Sequence, residues 1–184
     1  MVDRLRERLL DAALVTTSER GWSAVTMAGL GQAAGVSRQS VYNEFGSKEQ
    51  VAAAMVAREV GRFLNAVDDA LATGHTPTDA VERAAGTVFA MAEENPLLRS
   101  MLGAAAGVDS PVLPLLTTQS QPVIDAAVHR ICQHLIERFQ DLPADTDLRL
   151  AVDAIVRVVL SHVVQPGPSD AADIAFIAER LLVV

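Results

Sequence analysis

The residues of this chain best suited to act on another molecule are Arg38, Gln39, Tyr42 and Asn43, with Thr26, Ser37 and Lys48 around them. Arginine donates two parallel N–H bonds to guanine O6 and N7, and glutamine or asparagine pairs with adenine N6 and N7. Hydroxyls and ammonium groups bond phosphate oxygens. On a helix Arg38, Gln39, Tyr42 and Asn43 point outward, while Val41 and Phe45, four apart, form the inner side. The chemistry on offer is readout of a nucleic-acid groove, with Arg38, Gln39 and Asn43 toward base edges and Thr26, Tyr42 and Lys48 toward phosphates. Short polar-faced helices are common, so spacing alone leaves open an all-helical binding or enzyme domain with an incidental helix-turn-helix.

The neighbouring residues supply the means of holding such a face in place. Thr26 is a good N-cap for a short helix running through Met27, Leu30 and Ala33 to Ala34. Gly35 can stop it in the left-handed conformation, Val36 can turn inward as a plug, and Ser37 caps the helix that carries Arg38. Gly46 ends that helix and Ser47 starts the next. Upstream, Asp3 to Arg20 reads as an amphipathic helix with Leu5, Leu9, Ala12, Ala13 and Thr16 inward, and Arg4, Arg8, Asp11 and Glu19 elsewhere. Gly21 closes it, and Trp22 is expected to pack at the corner that follows.

Taken together, Gly21, Thr26, Ala34-Gly35-Val36-Ser37, Tyr42-Asn43-Glu44-Phe45 and Ser47-Lys48-Glu49 give residues 5 to about 55 a pattern that resembles the N-terminal domain of the TetR family of transcriptional regulators. Gly31, Thr17 and Asn43 depart from it, standing where the family usually has alanine, often an aromatic, and frequently tyrosine or histidine. The resemblance implies an all-α chain with an N-terminal three-helix DNA-binding domain and a C-terminal helical domain for ligand binding and dimerisation. It also implies a homodimer on double-stranded operator DNA, acting as a repressor that a small effector releases, with no cofactor. The effector would shift the dimer between a spacing that matches two half-sites and one that does not.

Composition permits this. Of 184 residues, 50% are apolar, enough for a sizeable core, and the formal charge of −8 is unevenly spread. Residues 1 to 62 hold eight Lys or Arg against seven Asp or Glu, whereas residues 63 to 184 hold seven against sixteen. Such a split presents one end to phosphates and keeps the other soluble and repelled from them. A single cysteine, Cys132, excludes an intrachain disulfide and fits a reducing cytoplasm. No apolar run is long enough to span a membrane.

From Ser47, with Gln50 completing a capping box, a helix carrying Val51, Met55, Phe63 and Val67 is expected to reach Leu71. At about 1.5 Å per residue it would run roughly 37 Å and connect a DNA-binding domain of residues 1–46 with an effector-binding and dimerisation domain of residues 47–184. Thr76 caps and Pro77 opens the next helix, with Val81, Ala84, Ala85, Val88, Phe89 and Met91 apolar, up to Asn95-Pro96. Pro96 to Gly103 reads as a short apolar helix and residues 104–118 as irregular. Another helix is expected from Ser120 to about Gln140, with Phe139 inside. The last two, Asp145 to about Val164 and Ser169 to about Leu182, are apolar nearly all round, which calls for burial on more than one side. A second copy of the chain is the economical partner, through Ile155, Val159, Ile177 and Leu181.

His129, Cys132 and His134 are metal-ligand types, but at about 100° per residue His134 falls roughly 200° from Cys132, so no metal site is expected. No phosphate-binding glycine loop and no protease or esterase motif is present, and an enzyme has no positive support. The expected effector lining is Phe63, Val67, Phe89, Met91, Met101, Leu102, Leu113, Leu116, Leu135 and His162. With so few polar partners, it suits a small apolar effector such as a fatty acid or alkane-derived compound. The Asn95-Pro96-Leu97-Leu98 and Leu113-Pro114-Leu115-Leu116-Thr117-Thr118 runs look like those of regulators associated with alkane hydroxylation. A cationic or aromatic drug-like effector is the alternative.

Overall fold

The computed structural model describes residues 2–95, 98, 120–167 and 170–182. Among these residues the secondary structure is wholly helical. The helices are α1 (Val2–Arg20), α2 (Met27–Ala33), α3 (Arg38–Phe45), α4 (Lys48–Ala72), α5 (Pro77–Glu94), α6 (Gln121–Arg138), α7 (Asp145–Val164) and α8 (Ala171–Leu182). A 3-10 turn lies at Trp22–Ala24. The described residues form two compact units, one made of residues 2–60 with Asn95 and Leu98, the other of 61–94, 120–167 and 170–182. Helix α4 contributes to both.

In the first unit α1 buries Leu9, Leu10, Ala13 and Thr17, so its inner face is turned slightly from the expected one and Thr16 is only half-buried. Thr17 tolerates burial because its hydroxyl donates to the Ala13 carbonyl at 2.7 Å, satisfying itself within its own helix. Met27 and Leu30 from α2, Val41 and Phe45 from α3, and Val51 and Met55 from α4 are buried in the same unit. At the start of α4 the Ser47 half of the expected capping box is in place, the Gln50 backbone N–H donating to Ser47 Oγ at 3.2 Å.

The second unit is built on Val67 and Leu71 of α4, Val81 and Ala85 of α5, Ile124, Ile131 and Leu135 of α6, Val152 and Ile155 of α7, and Ile174 and Ala178 of α8. Helix α6 stops at Arg138, and Phe139 is extended rather than helical. There the Arg138 guanidinium turns to the open end of α4, donating to the carbonyls of Leu71 (2.9 Å), Ala72 (2.7 Å) and Gly74 (3.1 Å). The last carbonyls of a helix have no partner within it, and a cation there also opposes the helix dipole.

Helix α7 shows what a nearly all-apolar pattern hides. Ile155 is 4% exposed and lies in the core of its own subunit, with Val159 and Ile177 packed at the margin of that core. Leu181, expected on the outer surface, is 39% exposed, and the other apolar side chains left open on α7 and α8 are Leu150 (68%), Val158 (41%) and Phe176 (59%). The charged stripe Arg149, Asp153 and Arg157 marks the outer side of the helix. Leu148, Val152 and Ile155 take the arc that meets the core, while Leu150, Ala154 and Val158 at four-residue spacing take the opposite one.

The entry to α5 gives a direct pH test. Thr76 Oγ1 accepts from the Asp79 amide at 3.1 Å, and Asp79 reaches back to accept from the His75 amide at 2.8 Å. That backbone bond, assisted by Arg83, holds the Asp79 carboxyl below its ordinary value. A carboxyl depressed in the folded state stabilises above its unfolded pKa, and the contribution is lost as pH falls through the folded value. Asp79→Asn should therefore lower Tm at neutral pH, and the gap to the wild type should close on acidification below the carboxylate range. Thermal melts across that range measure it.

Candidate nucleic-acid interface

The two short helices of the first unit are held by caps that use side chains the sequence nominated. Thr26 Oγ1 accepts from the Gly29 amide at 3.0 Å, and Ser37 Oγ accepts from the Ser40 amide at 3.1 Å. Between them Gly35 adopts φ +64°, in the left-handed region where glycine carries no penalty. The half-buried Val36 closes the turn by donating its amide to the Gly31 carbonyl at 2.8 Å. Gly31 makes that approach possible, since a Cβ there would lie 2.9 Å from the Val36 carbonyl oxygen and 3.3 Å from the Arg38 nitrogen. The departure from alanine at this position thus has a steric reason.

With Val41 and Phe45 buried, the outward arc of α3 carries Arg38, Gln39 and Asn43 exposed and Tyr42 half-buried. The side chains are ordered among themselves. Arg38 donates to the Tyr42 hydroxyl at 3.2 Å with its guanidinium over the ring, and Gln39 Nε2 donates to Asn43 Oδ1 at 3.0 Å. Pairs four apart on a helix restrict each other's rotamers, so this face is partly preorganised. Lys48 donates to the Trp22 carbonyl at 2.9 Å, and its ammonium lies 5.0 Å from the centre of the Trp22 ring. Trp22, half-buried, therefore fixes the Lys48 head group as well as filling the corner after Gly21.

Two arginines outside this face were not singled out by spacing. Arg6 pairs with Glu44 of α3 at 3.1 Å and lies 4.7 Å from the Phe45 ring centre, and Arg8 donates to the Ala34 carbonyl at the turn. The alternating run Arg6-Glu7-Arg8 carries no local signal of these contacts, which depend on how α1 crosses α2 and α3.

The residues expected to line an effector site belong, where described, to the second unit. Val67 and Leu135 are core residues, Phe89 packs against that core, and Phe63, Met91 and His162 are half-buried. The rings of Phe89 and His162 meet at 5.1 Å between centroids, tilted by 46°. Met101, Leu102, Leu113 and Leu116 lie outside the described residues. His129 is exposed and Cys132 half-buried, and burial pushes the Cys132 thiol up. Among the described residues no group of three or more His, Cys, Asp or Glu could hold a metal ion, and no helix is long and apolar enough to cross a membrane.

A capped pair of short helices with a glycine turn, a polar outward face and a long following helix defines a helix-turn-helix protein of the DNA-binding class. Residues 9–55 match the model of bacterial regulatory proteins of the tetR family, and residues 77–182 match that of the bacterial Tetracyclin repressor, C-terminal domain. The chain belongs to the TetR family of transcriptional regulators. Among its relatives is the HTH-type transcriptional regulator AlkX of Mycobacterium tuberculosis, 35% identical over 175 residues, covering 93% of this chain and 82% of that protein. The crystal structure of the TetR family repressor AlkX from Dietzia sp. strain DQ12-45-1b, implicated in biodegradation of n-alkanes, superposes with a TM-score of 0.69. It is 26% identical, and the match covers 95% of this chain and 91% of that one. The repressor KstR of Mycolicibacterium smegmatis is 32% identical over 93 residues, half of this chain and 46% of its own length.

The close approach at Gly31 can be tested by itself. Gly31→Ala gains about 1 kcal/mol of helix propensity, but forcing a methyl against backbone typically costs about 1–3 kcal/mol. Because the obstructing atoms are the turn itself, the steric cost should win: Tm should fall and operator affinity with it. Circular-dichroism melts and DNA titration of the same variant would show both.

Proposed function

We propose that residues 1–46 form the operator-reading domain, with Arg38, Gln39 and Asn43 meeting base edges and Thr26, Ser37, Tyr42 and Lys48 meeting phosphates. The carrying observation is the outward arc of α3, whose exposed polar side chains are set by two satisfied caps and a buried Val41–Phe45 strip. Thr26 uses its oxygen as a cap acceptor, which leaves the hydroxyl proton to donate to a phosphate. The Lys48 ammonium has three N–H donors, of which the Trp22 carbonyl takes one. Selection of bound fragments from random DNA defines the operator. Arg38→Ala should relax the preference at one base pair and cost about 1–3 kcal/mol there. Lys48→Ala should weaken all sequences alike and lower the salt slope by about one. Equal loss on every sequence for Arg38→Ala would refute the assignment.

Residues 47–184 form, on this reading, the effector-binding and dimerisation domain, and the protein is a repressor released from its operator by a small apolar effector. Support comes from the apolar character of Val67, Phe89, Met91 and Leu135, and from similarity over 93% of the chain to an AlkX regulator. His162, against Phe89, is the polar group that could bond a carboxylate head. Members of the family bind operators as dimers, and the exposed apolar side chains Leu150, Val158, Phe176 and Leu181 are the surface a second copy would cover, with Val159 and Ile177 at its edge. Phe176→Glu or Leu150→Glu should give monomers in analytical ultracentrifugation and lose operator binding, while Ile155→Glu should unfold the subunit instead. A long-chain fatty acid should release the wild-type protein from its operator at micromolar levels and short polar metabolites should not. Release by cationic dyes alone would overturn the effector class.

A further inference from the structure

We propose that Arg6 and Arg8 on α1, and Arg58 on α4, are positioning residues for operator reading: they lock α3 to α1 and α1 to α4, and thereby set the direction in which Arg38, Gln39 and Asn43 point. This rests on the reading of α3 as the base-contacting helix.

Helix α3 has only eight residues, too short to be stable or oriented by itself. Its buried strip, Val41 and Phe45, fixes how deep it sits but resists rotation about the helix axis weakly, because apolar contact is non-directional. Directional contacts come from α1. The Glu44 side chain, on the flank of α3 between the buried strip and Asn43, is 15% exposed and accepts from Arg6 Nη1 at 3.1 Å. The same guanidinium lies over the ring of Phe45, so Arg6 holds two consecutive residues of α3. Two residues along α1, Arg8 donates to the carbonyl of Ala34, the last residue before the glycine turn.

Helix α1 is itself held from α4. Arg58 Nη1 donates to Glu7 Oε2 at 3.0 Å and to Asp11 Oδ1 at 2.9 Å. Exposed ion pairs contribute little, but the Arg58 side chain is 15% exposed, and among the described residues its buried Nε and Nη2 have no hydrogen-bond partner. Its charge therefore depends on the acidic side chains beside it: Glu7, Asp11 and Glu59, whose Oε1 is 3.7 Å from Nε. Glu7 (58% exposed) and Asp11 (69%) are themselves open to solvent, so the pairs act through their direction on a half-buried cation more than through their strength. The sequence of contacts runs from α4 through α1 to both ends of the reading element.

The decisive variant is Glu44→Gln, which preserves shape and removes a negative charge from a helix that approaches phosphates. Simple electrostatics makes it bind every DNA more tightly. The positioning role makes it bind the operator about fivefold or more weakly, with a broader base preference in fragment selection and no matching loss on scrambled DNA. Arg6→Met should lower the operator-to-scrambled ratio similarly, Arg6→Lys should restore part of it, and Arg6→Met with Glu44→Gln should be no worse than Arg6→Met alone. Arg58→Lys, measured beside Glu7→Gln with Asp11→Asn, should also lower the ratio with the salt slope unchanged. An unchanged ratio in Glu44→Gln and Arg6→Met, or equal loss on all DNA with a slope reduced by about one, overturns the proposal. If Arg38→Ala also leaves base preference intact, the reading of α3 itself is what fails.

Discussion

A single backbone contact, the Val36 amide on the Gly31 carbonyl at 2.8 Å, sets the geometry on which DNA reading by this chain depends. It draws the turn against α2 until a Cβ at position 31 would touch backbone, and in doing so starts α3 at a defined place and angle. Side chains nearby serve backbone groups in keeping with that. Thr26 and Ser37 serve the free amides of α2 and α3, and Arg8 takes the Ala34 carbonyl. Anchoring both helix starts and the turn in this way limits the backbone adjustment that the proposed reading face needs on binding.

The cost of such a short element is that its stability must come from elsewhere. Fully burying a valine or phenylalanine contributes about 1.5–3 kcal/mol each, so Val41 and Phe45 can hold α3 in contact with the unit. Burial alone accepts a range of rotations, whereas bases in a groove do not. The directional contacts of Arg6 with Glu44 and Phe45 fill that gap, and they lie on α1, outside the segment where a helix-turn-helix is usually sought.

What the sequence made legible was what is decided locally. A cap needs one side chain and an amide three residues on, and a glycine turn needs one φ, so the ends of α2, α3 and α4 could be placed from Thr26, Gly35, Ser37, Gly46 and Ser47. Contacts between elements were less legible. Thr17 rather than Thr16 faces inward because α1 is rotated by its packing, and Phe139 leaves α6 where Arg138 turns to the end of α4. In α7 the charged stripe Arg149, Asp153 and Arg157 lies nearly opposite Ile155 and beside Leu150, a signal of which would meet the core that a reading of the helix as apolar nearly all round passes over. Gly31 was visible as a departure from its family, but its reason lay in a carbonyl five residues away.

The apolar body also constrains how an effector could act. A ligand shifts an equilibrium only by its differential affinity for the two forms, and about 1.4 kcal/mol of difference is a factor of ten. Val67 and Leu135 are buried in the core, so an apolar effector that reaches them must separate groups packed together. That opening has a fixed cost, while the gain grows by about 0.8 kcal/mol for each methylene removed from water. A short chain whose gain does not exceed that cost binds too weakly to shift the equilibrium, and DNA stays bound. Beyond a threshold length each added methylene counts toward the difference between the two forms, by up to about fourfold. For an effector of the apolar class proposed above, sensitivity to chain length follows from the packing of the body.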